Sequence, residues 1–568
     1  MEKNLLILLS LCVTSGYAQK MPLPGVQTND IPKTVTLSRD VLLDKIRGGW
    51  VGKSYGVSFG GPTEFKYEGK IIEGPLKLNP RGLGRLKGQD DMYVNMALLK
   101  ALVDNGIEAT SADFAKEFAY GGFGLWHANG QGRQNILLGI PPERSGHPLY
   151  NPHAEDIDFQ IECDFIGLVC PGLPQAALDI CDRAGHIMNY GDGVYGGYFV
   201  TAMYAAAFIH DDAQTIVQAG FQALPKGSGY AKIIKDVIEW HKQYPNDWKK
   251  TWQEIEDKYN NDLCPWGVHT KFNIQARFNG AYIALGLLYG EGDLEKTVEL
   301  STRCGQDSDC NPASAGGVLG VMYGYDALDE VWVGGIAAIQ DDEFSYTTYS
   351  FNDFVASTQQ RVLDAVELAG GEVLADRVII PAQTPVPPNL EQWSMGIPTK
   401  SILYNDPAWT WIGDWTYEPY TAYYAPASNV SYGGGNEAIL EFDGTAVAVV
   451  GYLTTAGGRA DVYLDGAHVG EINAYIGKRT YDSDLWHIYG LAEGPHTLRI
   501  VTLEDADPRS AGNRIAIHRA VVFYSQEALS LQGTPMSRCV PYGITALIIL
   551  CALSCSRRVA DEEVRIRT

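Results

Sequence analysis

The chain has 568 residues, with 44 Lys and Arg against 68 Asp and Glu, and a formal net charge of -24 at pH 7. That length provides for more than one domain, each large enough to bury its own core. The acidic balance argues against nucleic acid as a partner, because binding to phosphate backbones requires basic patches. It favours instead a protein that can bind cations.

The first residues have the composition of a secretory signal. Lys3 precedes an apolar segment at residues 5–13, and Ala18 ends a short cleavage site. We therefore predict a signal peptide at residues 1–18 and a secreted or periplasmic protein. The alternative is a buried N-terminal helix.

Most of residues 19–380 carry apolar side chains at helical spacing, which predicts an all-α domain. The pattern begins near Val41, and a glycine-rich turn is expected at residues 52–56. A second glycine-rich break precedes Glu64. A glutamate there is positioned by the backbone rather than by a helix face, although a solvated surface glutamate is the alternative.

Two aspartate pairs each precede an apolar helical segment. Asp90 and Asp91 form one pair, and Asp307 and Asp309 form the other, before a run of small residues at 313–324. Carboxylates that converge from distant segments are the ligands that Mg²⁺ and Ca²⁺ favour. The alternatives are ordinary N-caps and partners of the helix dipole. The small residues predict close helix packing that would hold the second pair rigidly.

Apolar and acidic residues alternate at residues 156–164. A period of two predicts a strand with one acidic face, or an extended loop that lines a cleft. We favour the wall of a site, because neighbouring like charges are costly unless a cation or a hydrogen-bond donor compensates them. His186, further along, is a candidate site residue or a satisfied histidine at a helix end.

The residue pattern changes from helical spacing to a Pro-rich segment and then to short alternating runs after the helical domain. Residues 381–392 begin with PAQTPVPP and predict a semi-rigid linker. Residues 393–526 contain short alternating runs with a hairpin signal at Asp465 and Gly466, which predicts a jelly-roll-like β-sandwich. Tryptophans of this region either stack on sugar rings or belong to its core: Trp409, Trp411, Trp415 and Trp486.

The tail at residues 527–568 contains an apolar run at residues 543–555. This run is shorter than the roughly 20 residues that span a bilayer as a helix. It predicts no firm membrane anchor, only a marginal one or a disordered end.

With both aspartate pairs identified, residues 43–325 resemble the ADP-ribosylglycohydrolase family. The sequence Gly-Gln-Asp-Ser-Asp-Cys-Asn at residues 305–311 is similar to the family signature Gly-Gly-Asp-Thr-Asp-Thr-Asn. The resemblance implies an all-α catalytic domain with two Mg²⁺ ions that orient a ribose. It also implies hydrolysis of a glycosidic bond at the anomeric carbon of ADP-ribose.

The resemblance also implies residue roles by position. The metal ligands would be Asp90, Asp91, Asp307 and Asp309, with Asp309 bridging two ions. The catalytic residues would be Glu64, near the attacking water, and Asp309. Candidate substrate contacts are Asp164, Gly196, His186 and Asn311. Mg²⁺ is the implied cofactor, with Ca²⁺ or Mn²⁺ as alternatives.

Three residues depart from the family pattern. Gln89 and Cys310 stand where the family has threonines, and Lys53 stands where it has an aspartate. A thiol suits softer metals than Mg²⁺. One of the two ion sites is therefore expected to be weaker, absent or differently filled.

Three functions follow from these patterns. The first is a secreted glycoside hydrolase whose sandwich, similar to galactose-binding-like and carbohydrate-binding modules, helps to hold a glycan. The second is a true ADP-ribosyl hydrolase that acts on an ADP-ribosyl conjugate. The third is a non-catalytic protein that binds sugar or ADP-ribose. Export favours the first over the second, and retention of all four aspartates argues against the third.

Overall fold

A computed structural model describes residues 34–77, 86–260, 264–265, 267–268, 270–391, 393, 395–419, 426–480 and 482–525. The predicted signal peptide and the tail with its apolar run lie outside these residues. A helical domain is followed by antiparallel β-sheets, which confirms the predicted fold class. Within the described ranges, no helix has both the length and the apolar character that crossing a bilayer requires.

The described part of the N-terminal domain contains 17 α-helices. In chain order they are α1 Arg39–Gly60, α2 Asp90–Asn105, α3 Ser111–Tyr120, α4 His127–Leu137, α5 Pro142–Ser145, α6 Asp158–Glu162, α7 Asp164–Val169, α8 Pro174–Gly185, α9 Asp192–Ala207, α10 Ala213–Gln222, α11 Gly229–Gln243, α12 Trp248–Tyr259, α13 Ala276–Gly290, α14 Leu294–Arg303, α15 Cys310–Tyr323, α16 Glu330–Ala337 and α17 Phe351–Leu368.

Helices α1 and α15 pack with their backbones in direct contact. A Cβ atom on Gly60 would lie 1.8 Å from the carbonyl oxygen of Ser308, and one on Gly52 would lie 2.1 Å from that of Gly316. The predicted turn at residues 52–56 is therefore wrong, because these glycines serve helix packing and α1 continues through them. The predicted close packing of the small residues after Asp309 is confirmed.

A small antiparallel sheet joins the two ends of the helical domain, which the prediction of an all-α domain did not include. Its strands are β1 Thr34–Ser38, β2 Glu372–Val373 and β3 Arg377–Pro381, in the order β1-β3-β2. Ser38 then caps α1, since its hydroxyl accepts the N–H of Val41 at 3.1 Å. The sheet thus fixes where α1 begins.

The alternating segment at residues 156–164 forms two short helices, α6 and α7, so the predicted strand or extended loop is wrong. Over so few residues, Ile157 and Ile161 satisfy both a period of two and the i, i+4 spacing of a helix. Both side chains face the cavity described below, together with Asp158. The segment is therefore a wall of that cavity, built as helix.

The C-terminal domain packs two antiparallel sheets around one core. Leu440, Val462 and Ile500 come from the first sheet and meet Val449 and Ile517 of the second in a shared cluster of buried side chains. The strands are β4 Ile397–Leu403, β5 Trp409–Ile412, β6 Trp415–Glu418, β7 Ser428–Ser431, β8 Glu437–Asp443, β9 Ala446–Tyr452, β10 Gly458–Leu464, β11 Ala467–Asn473, β12 Ser483–Ile488, β13 Pro495–Ala506 and β14 Ile515–Tyr524. The sheet orders are β11-β10-β13-β8-β5 and β12-β9-β14-β7-β6, with β4 paired to β14.

The four tryptophans named above contact the core of this domain. Trp409 is buried, and its ring stacks on that of Trp411 with 5.1 Å between centroids. Trp411, Trp415 and Trp486 are partly buried against the same core. Of the two alternatives for these residues, the contacts favour the core.

The sandwich lies against the helical domain. The ammonium of Lys478 donates to the carbonyl oxygen of Gly122 at 3.0 Å, and Tyr489 donates its hydroxyl hydrogen to the carbonyl oxygen of Pro148. Leu137 of α4 packs on the sandwich core. These contacts bring one end of the sandwich to the opening of a cavity in the helical domain.

Candidate active site

A cavity of about 400 Å³ lies between the helical domain and the sandwich. Its described lining combines carboxylates, aromatic rings and a few residues of the sandwich. The charged and aromatic members are Glu64, Glu68, Asp90, Asp158, Asp307, Asp309, Asp482, Arg519, Phe65, Tyr93, Trp126, His127 and Phe272. The excess of carboxylates makes the cavity strongly acidic.

Three carboxylates meet at the base of this cavity. Glu64, Asp307 and Asp309 each offer an oxygen, and these atoms lie within 4.8 Å of one another. The backbone holds them in place, since the N–H of Phe65 donates to the carbonyl oxygen of Gln306 at 3.0 Å. Gln306 itself has φ 56°, a left-handed conformation that turns the chain sharply before Asp307. The loop before α15 and the segment after α1 therefore form one rigid cluster.

The buried carboxylates of this cluster repel one another, and a bound cation would relieve that repulsion. Repulsion from Asp309, together with burial, raises the pKa of Glu64 to about 9. Burial raises the pKa of Asp307 to about 8. The Oδ1 atom of Asp307 is buried and has no hydrogen-bond partner among the described residues. An oxygen-only donor set with an unsatisfied buried oxygen fits a hard divalent ion such as Mg²⁺, Mn²⁺ or Ca²⁺.

A second group of possible ligands lies beside the first and shares Asp309 with it. Asp91, Asp309 and Cys310 bring two oxygens and one sulfur within 4.8 Å of one another. The Sγ atom of Cys310 lies 3.1 Å from Oδ2 of Asp91. The other oxygen of Asp91, Oδ1, lies 3.1 Å from Nζ of Lys53. This group therefore differs from the first in both its donor atoms and its charge.

The upper walls of the cavity are aromatic and hydrogen-bonding. Trp126, Tyr93 and Phe272 face it, and such rings are common platforms for sugars and bases. Burial lowers the pKa of His127 to about 3, so its imidazole is neutral at ordinary pH. Burial raises the pKa of Asp158 well above its usual range, which favours the protonated form of this carboxyl group.

The sandwich contributes a charged pair to the same cavity. Arg519 donates from Nη2 to Oδ2 of Asp482 at 3.0 Å, and both side chains line the cavity. Asp482 has φ 48°, an uncommon backbone conformation for a non-glycine residue. Such conformations concentrate at functional sites.

Three of the predicted metal ligands, Asp90, Asp307 and Asp309, line the cavity, and the fourth, Asp91, is buried. Glu64, predicted as a catalytic residue, lines the same cavity. Burial, followed by the neighbouring Asp91, raises the pKa of Asp90 to about 6.

The four predicted substrate contacts lie outside the described lining. Asp164 binds Lys53, with 2.8 Å between Oδ2 and Nζ, and Asn311 donates to Oδ1 of Asn279 at 2.9 Å. The other two make contacts elsewhere. His186 Nε2 lies 2.9 Å from Oε1 of Glu391, where it fastens the linker. A Cβ on Gly196 would lie 2.6 Å from Oε1 of Gln160, so this glycine makes room for that side chain.

Sequence reasoning missed three features of the cavity. The alternating acidic segment pointed to Asp158 without singling it out. Lys53 was visible as a departure from the family pattern, but not as the partner of Asp91. For Asp482 and Arg519 there was no signal, because only the packing of the two domains brings them to the site.

Comparison with curated proteins found a partial relative. An A type blood N-acetyl-alpha-D-galactosamine deacetylase from Flavonifractor plautii is 30% identical over 139 residues, which are 24% of this chain and 17% of that protein. The chain thus spans about a sixth of the length of this relative.

Two solved structures align more loosely. An ADP-ribosylglycohydrolase-related protein complex is 14% identical and aligns over 58% of this chain and 98% of its own, with a TM-score of 0.38. A two-domain esterase active on acetylated mannans is 14% identical over 35% of this chain and 53% of its own, with a TM-score of 0.20.

The family model described as ADP-ribosylglycohydrolase matches residues 38–362, which is more than half of the chain and includes every carboxylate at the base of the cavity. The chain belongs to the ADP-ribosylglycohydrolase family, a family of hydrolases.

Proposed function

We propose that this protein is a secreted glycoside hydrolase that depends on a divalent metal and cleaves a glycosidic bond at an anomeric carbon. The observation that carries the proposal is the group formed by Glu64, Asp307 and Asp309 at the base of a cavity with aromatic walls. A polar base that can hold an ion, below rings that can stack on a pyranose or furanose, suits a sugar substrate.

The charge of the cavity favours an uncharged sugar over ADP-ribose. Among the described lining residues, seven Asp and Glu side chains face one cationic side chain, Arg519, which is already paired with Asp482. A diphosphate is held by lysines, arginines, backbone N–H groups or metal ions, and here the proposed ion would have to offset the remaining acidic side chains. An uncharged glycoside meets no such electrostatic barrier.

The acidic residues divide the chemical work between them. Asp307 and Asp309, together with an oxygen of Glu64, would hold the metal. A divalent ion bound there supplies a water molecule of lowered pKa and a fixed point for sugar hydroxyl groups. Glu64 is less buried than the two aspartates of its group, and we assign it to orient the attacking water and to accept its proton. A bound divalent ion would offset the repulsion that raises the pKa of Glu64, so that it could act as a carboxylate.

Asp158 is the acid that we propose for the departing group. The water oxygen forms a bond to the anomeric carbon, the bond from that carbon to the leaving oxygen breaks, and the leaving oxygen takes the proton of Asp158. His127 cannot replace it as a proton donor of this kind, because its imidazole is neutral. It can instead hydrogen-bond a sugar hydroxyl group.

The sandwich would complete the substrate site, because Asp482 and Arg519 reach the cavity. A planar pair of guanidinium and carboxylate offers donors and acceptors side by side, which matches adjacent hydroxyl groups of a sugar. The proposed partner is therefore a glycoside or glycan.

The test is hydrolysis of a panel of furanosides and pyranosides beside an ADP-ribosyl conjugate, each with Mg²⁺ and with chelator. We expect the protein to cleave at least one glycoside with Mg²⁺ but not with chelator, and not to cleave the ADP-ribosyl conjugate. Cleavage of the ADP-ribosyl conjugate alone would favour the second function, to which membership of the family also points. Binding without turnover of any substrate would favour a non-catalytic protein.

The acid assignment has its own test. The Asp158→Asn variant should lose activity most strongly on substrates with poor leaving groups, and much less on an aryl glycoside whose leaving oxygen needs no proton. An equal loss on both substrates would contradict the role of Asp158.

A further inference from the structure

We infer that this centre binds one divalent ion per chain, at Glu64, Asp307 and Asp309, and that the ammonium group of Lys53 takes the place of a second ion. The inference rests on the proposed function, which uses the same site. It departs from the two ions that the resemblance to the family implies.

Lys53 is fully buried, and all three of its N–H donors are used. Its Nζ atom lies 3.1 Å from Oδ1 of Asp91, 2.8 Å from Oδ2 of Asp164 and 3.0 Å from the carbonyl oxygen of Ile161. An ammonium group has three donors, so every one has an acceptor. The ammonium group of Lys53 is therefore held in place, because moving it would break three buried hydrogen bonds.

The two oxygens of Asp91 are both occupied by this chain. Oδ1 accepts from Lys53, and Oδ2 accepts from the thiol of Cys310 at 3.1 Å. In the neighbouring group, by contrast, Oδ1 of Asp307 is buried without a hydrogen-bond partner among the described residues. The group of Glu64, Asp307 and Asp309 thus has an oxygen available for an ion, whereas both oxygens of Asp91 already accept hydrogen bonds.

The donor atoms lead to the same distinction. Glu64, Asp307 and Asp309 offer oxygens alone, whereas the second group offers the sulfur of Cys310 as one of its three donors. Mg²⁺ and Mn²⁺ bind carboxylate oxygens in preference to sulfur. A divalent ion at Asp91 would also lie close to the ammonium of Lys53, and the two positive charges would repel each other in a buried environment.

The test counts the ions bound to the full-length protein, without using activity. Metal-free protein is titrated with Mn²⁺ while free Mn²⁺ is measured by electron paramagnetic resonance, and with Mg²⁺ in a calorimeter. We expect one ion per chain in the natural protein and none in Asp307→Asn. The double variant Lys53→Met, Cys310→Thr should bind two, because both oxygens of Asp91 are released.

Two further variants serve as controls. Lys45 lies on the same helix but donates to the carbonyl oxygens of Val321 and Met322, away from the carboxylates, so Lys45→Met should still bind one ion. Cys310→Thr alone keeps Lys53 in place and should also bind one. Two ions in this single variant would overturn the assignment to Lys53, even if the double variant does not fold.

Two ions, or none, in the natural protein would overturn the inference, and so would a single ion in the folded double variant. The outcome is separate from that of the proposed function. A protein that binds one Mn²⁺ but cleaves no glycoside would contradict the function and leave the ion count intact.

Discussion

Both ring nitrogens of His487 face oxygen atoms: Nδ1 lies 2.6 Å from Oδ2 of Asp484, and Nε2 lies 3.1 Å from the carbonyl oxygen of Leu149. An imidazole can donate to two acceptors only when both nitrogens carry hydrogen. Burial opposes that charge, but the carboxylate of Asp484 and the two hydrogen bonds outweigh it and raise the pKa of His487. Because Leu149 belongs to the helical domain, the protonated form of His487 helps to hold the two domains together.

We therefore predict that contact between the domains weakens as pH rises. A raised pKa in the folded protein means that the stabilisation is complete below the ordinary histidine pKa of about 6.5 and is lost as pH passes the folded value. Small-angle scattering at about pH 5.5 and about pH 8.5 should show a more extended particle at the higher pH. The His487→Gln variant should lose this dependence. An equal response in protein and variant would contradict the assignment.

The Asp307→Asn substitution should abolish activity without unfolding the protein. Loss of a proposed metal ligand is expected to reduce turnover by at least about 100-fold. Because the raised pKa of Asp307 shows that burial disfavours its charge, the neutral amide should leave Tm in chelator equal or higher. Asp104→Asn, which alters an exposed ion pair with Lys100, is the matched control and should change neither quantity. Full activity of Asp307→Asn would remove Asp307 from the proposed metal site.

The Gly60→Ala substitution should be severely destabilising. Its Cβ would meet the carbonyl oxygen of Ser308 at 1.8 Å, so α1 would have to move away from the loop that carries Asp307. We expect a loss of about 3 kcal/mol or more in the free energy of unfolding, measured by urea denaturation.

The control for this prediction is Gly130→Ala. A Cβ at Gly130, inside α4, meets its nearest neighbours at 3.5 Å, an ordinary contact. Because alanine is the better helix former, the variant should be unchanged or more stable by up to about 1 kcal/mol. Similar losses at both glycines would argue that close backbone packing is not the cause.

The Arg519→Ala substitution tests whether the sandwich takes part in substrate binding. If Arg519 contacts the sugar, its removal should raise KM by about tenfold to 100-fold and change kcat little, since a hydrogen bond from a charged group is worth about 1.5–3 kcal/mol. Arg459→Ala is the control, because Arg459 pairs with Glu471 and Asp505 on an exposed face of the same domain. An unchanged KM on every cleaved glycoside would restrict the sandwich to a structural role.

The sequence predicted those parts of the site that short segments encode. Asp307 and Asp309 follow a glycine turn and precede a run of small residues, and this local pattern suffices to place two carboxylates together. The fold class followed from periodicity in the same way. The misassigned segment around Asp158 shows the limit, since a few residues satisfy helix and strand periods equally well.

Long-range contacts were beyond such reasoning. The role of Lys53 depends on its ion pairs with Asp164 and Asp91, which lie on other helices. Arg519 reaches the cavity only because the sandwich docks beside it. His186 was a candidate because histidine is a common residue of active sites. In the structure it instead pairs with Glu391 of the linker.

The close packing of α1 on α15 has a consequence for the order in which this protein folds. One helix stands near the start of the helical domain, and the other stands near its end. The glycine face of α1 therefore lacks its main packing partner until almost the whole domain has been synthesised, and contacts between such distant segments form slowly. Glu64 and Asp309, held by those two ends, would come together among the last events of folding, so the capacity to bind a metal would report that the domain is complete.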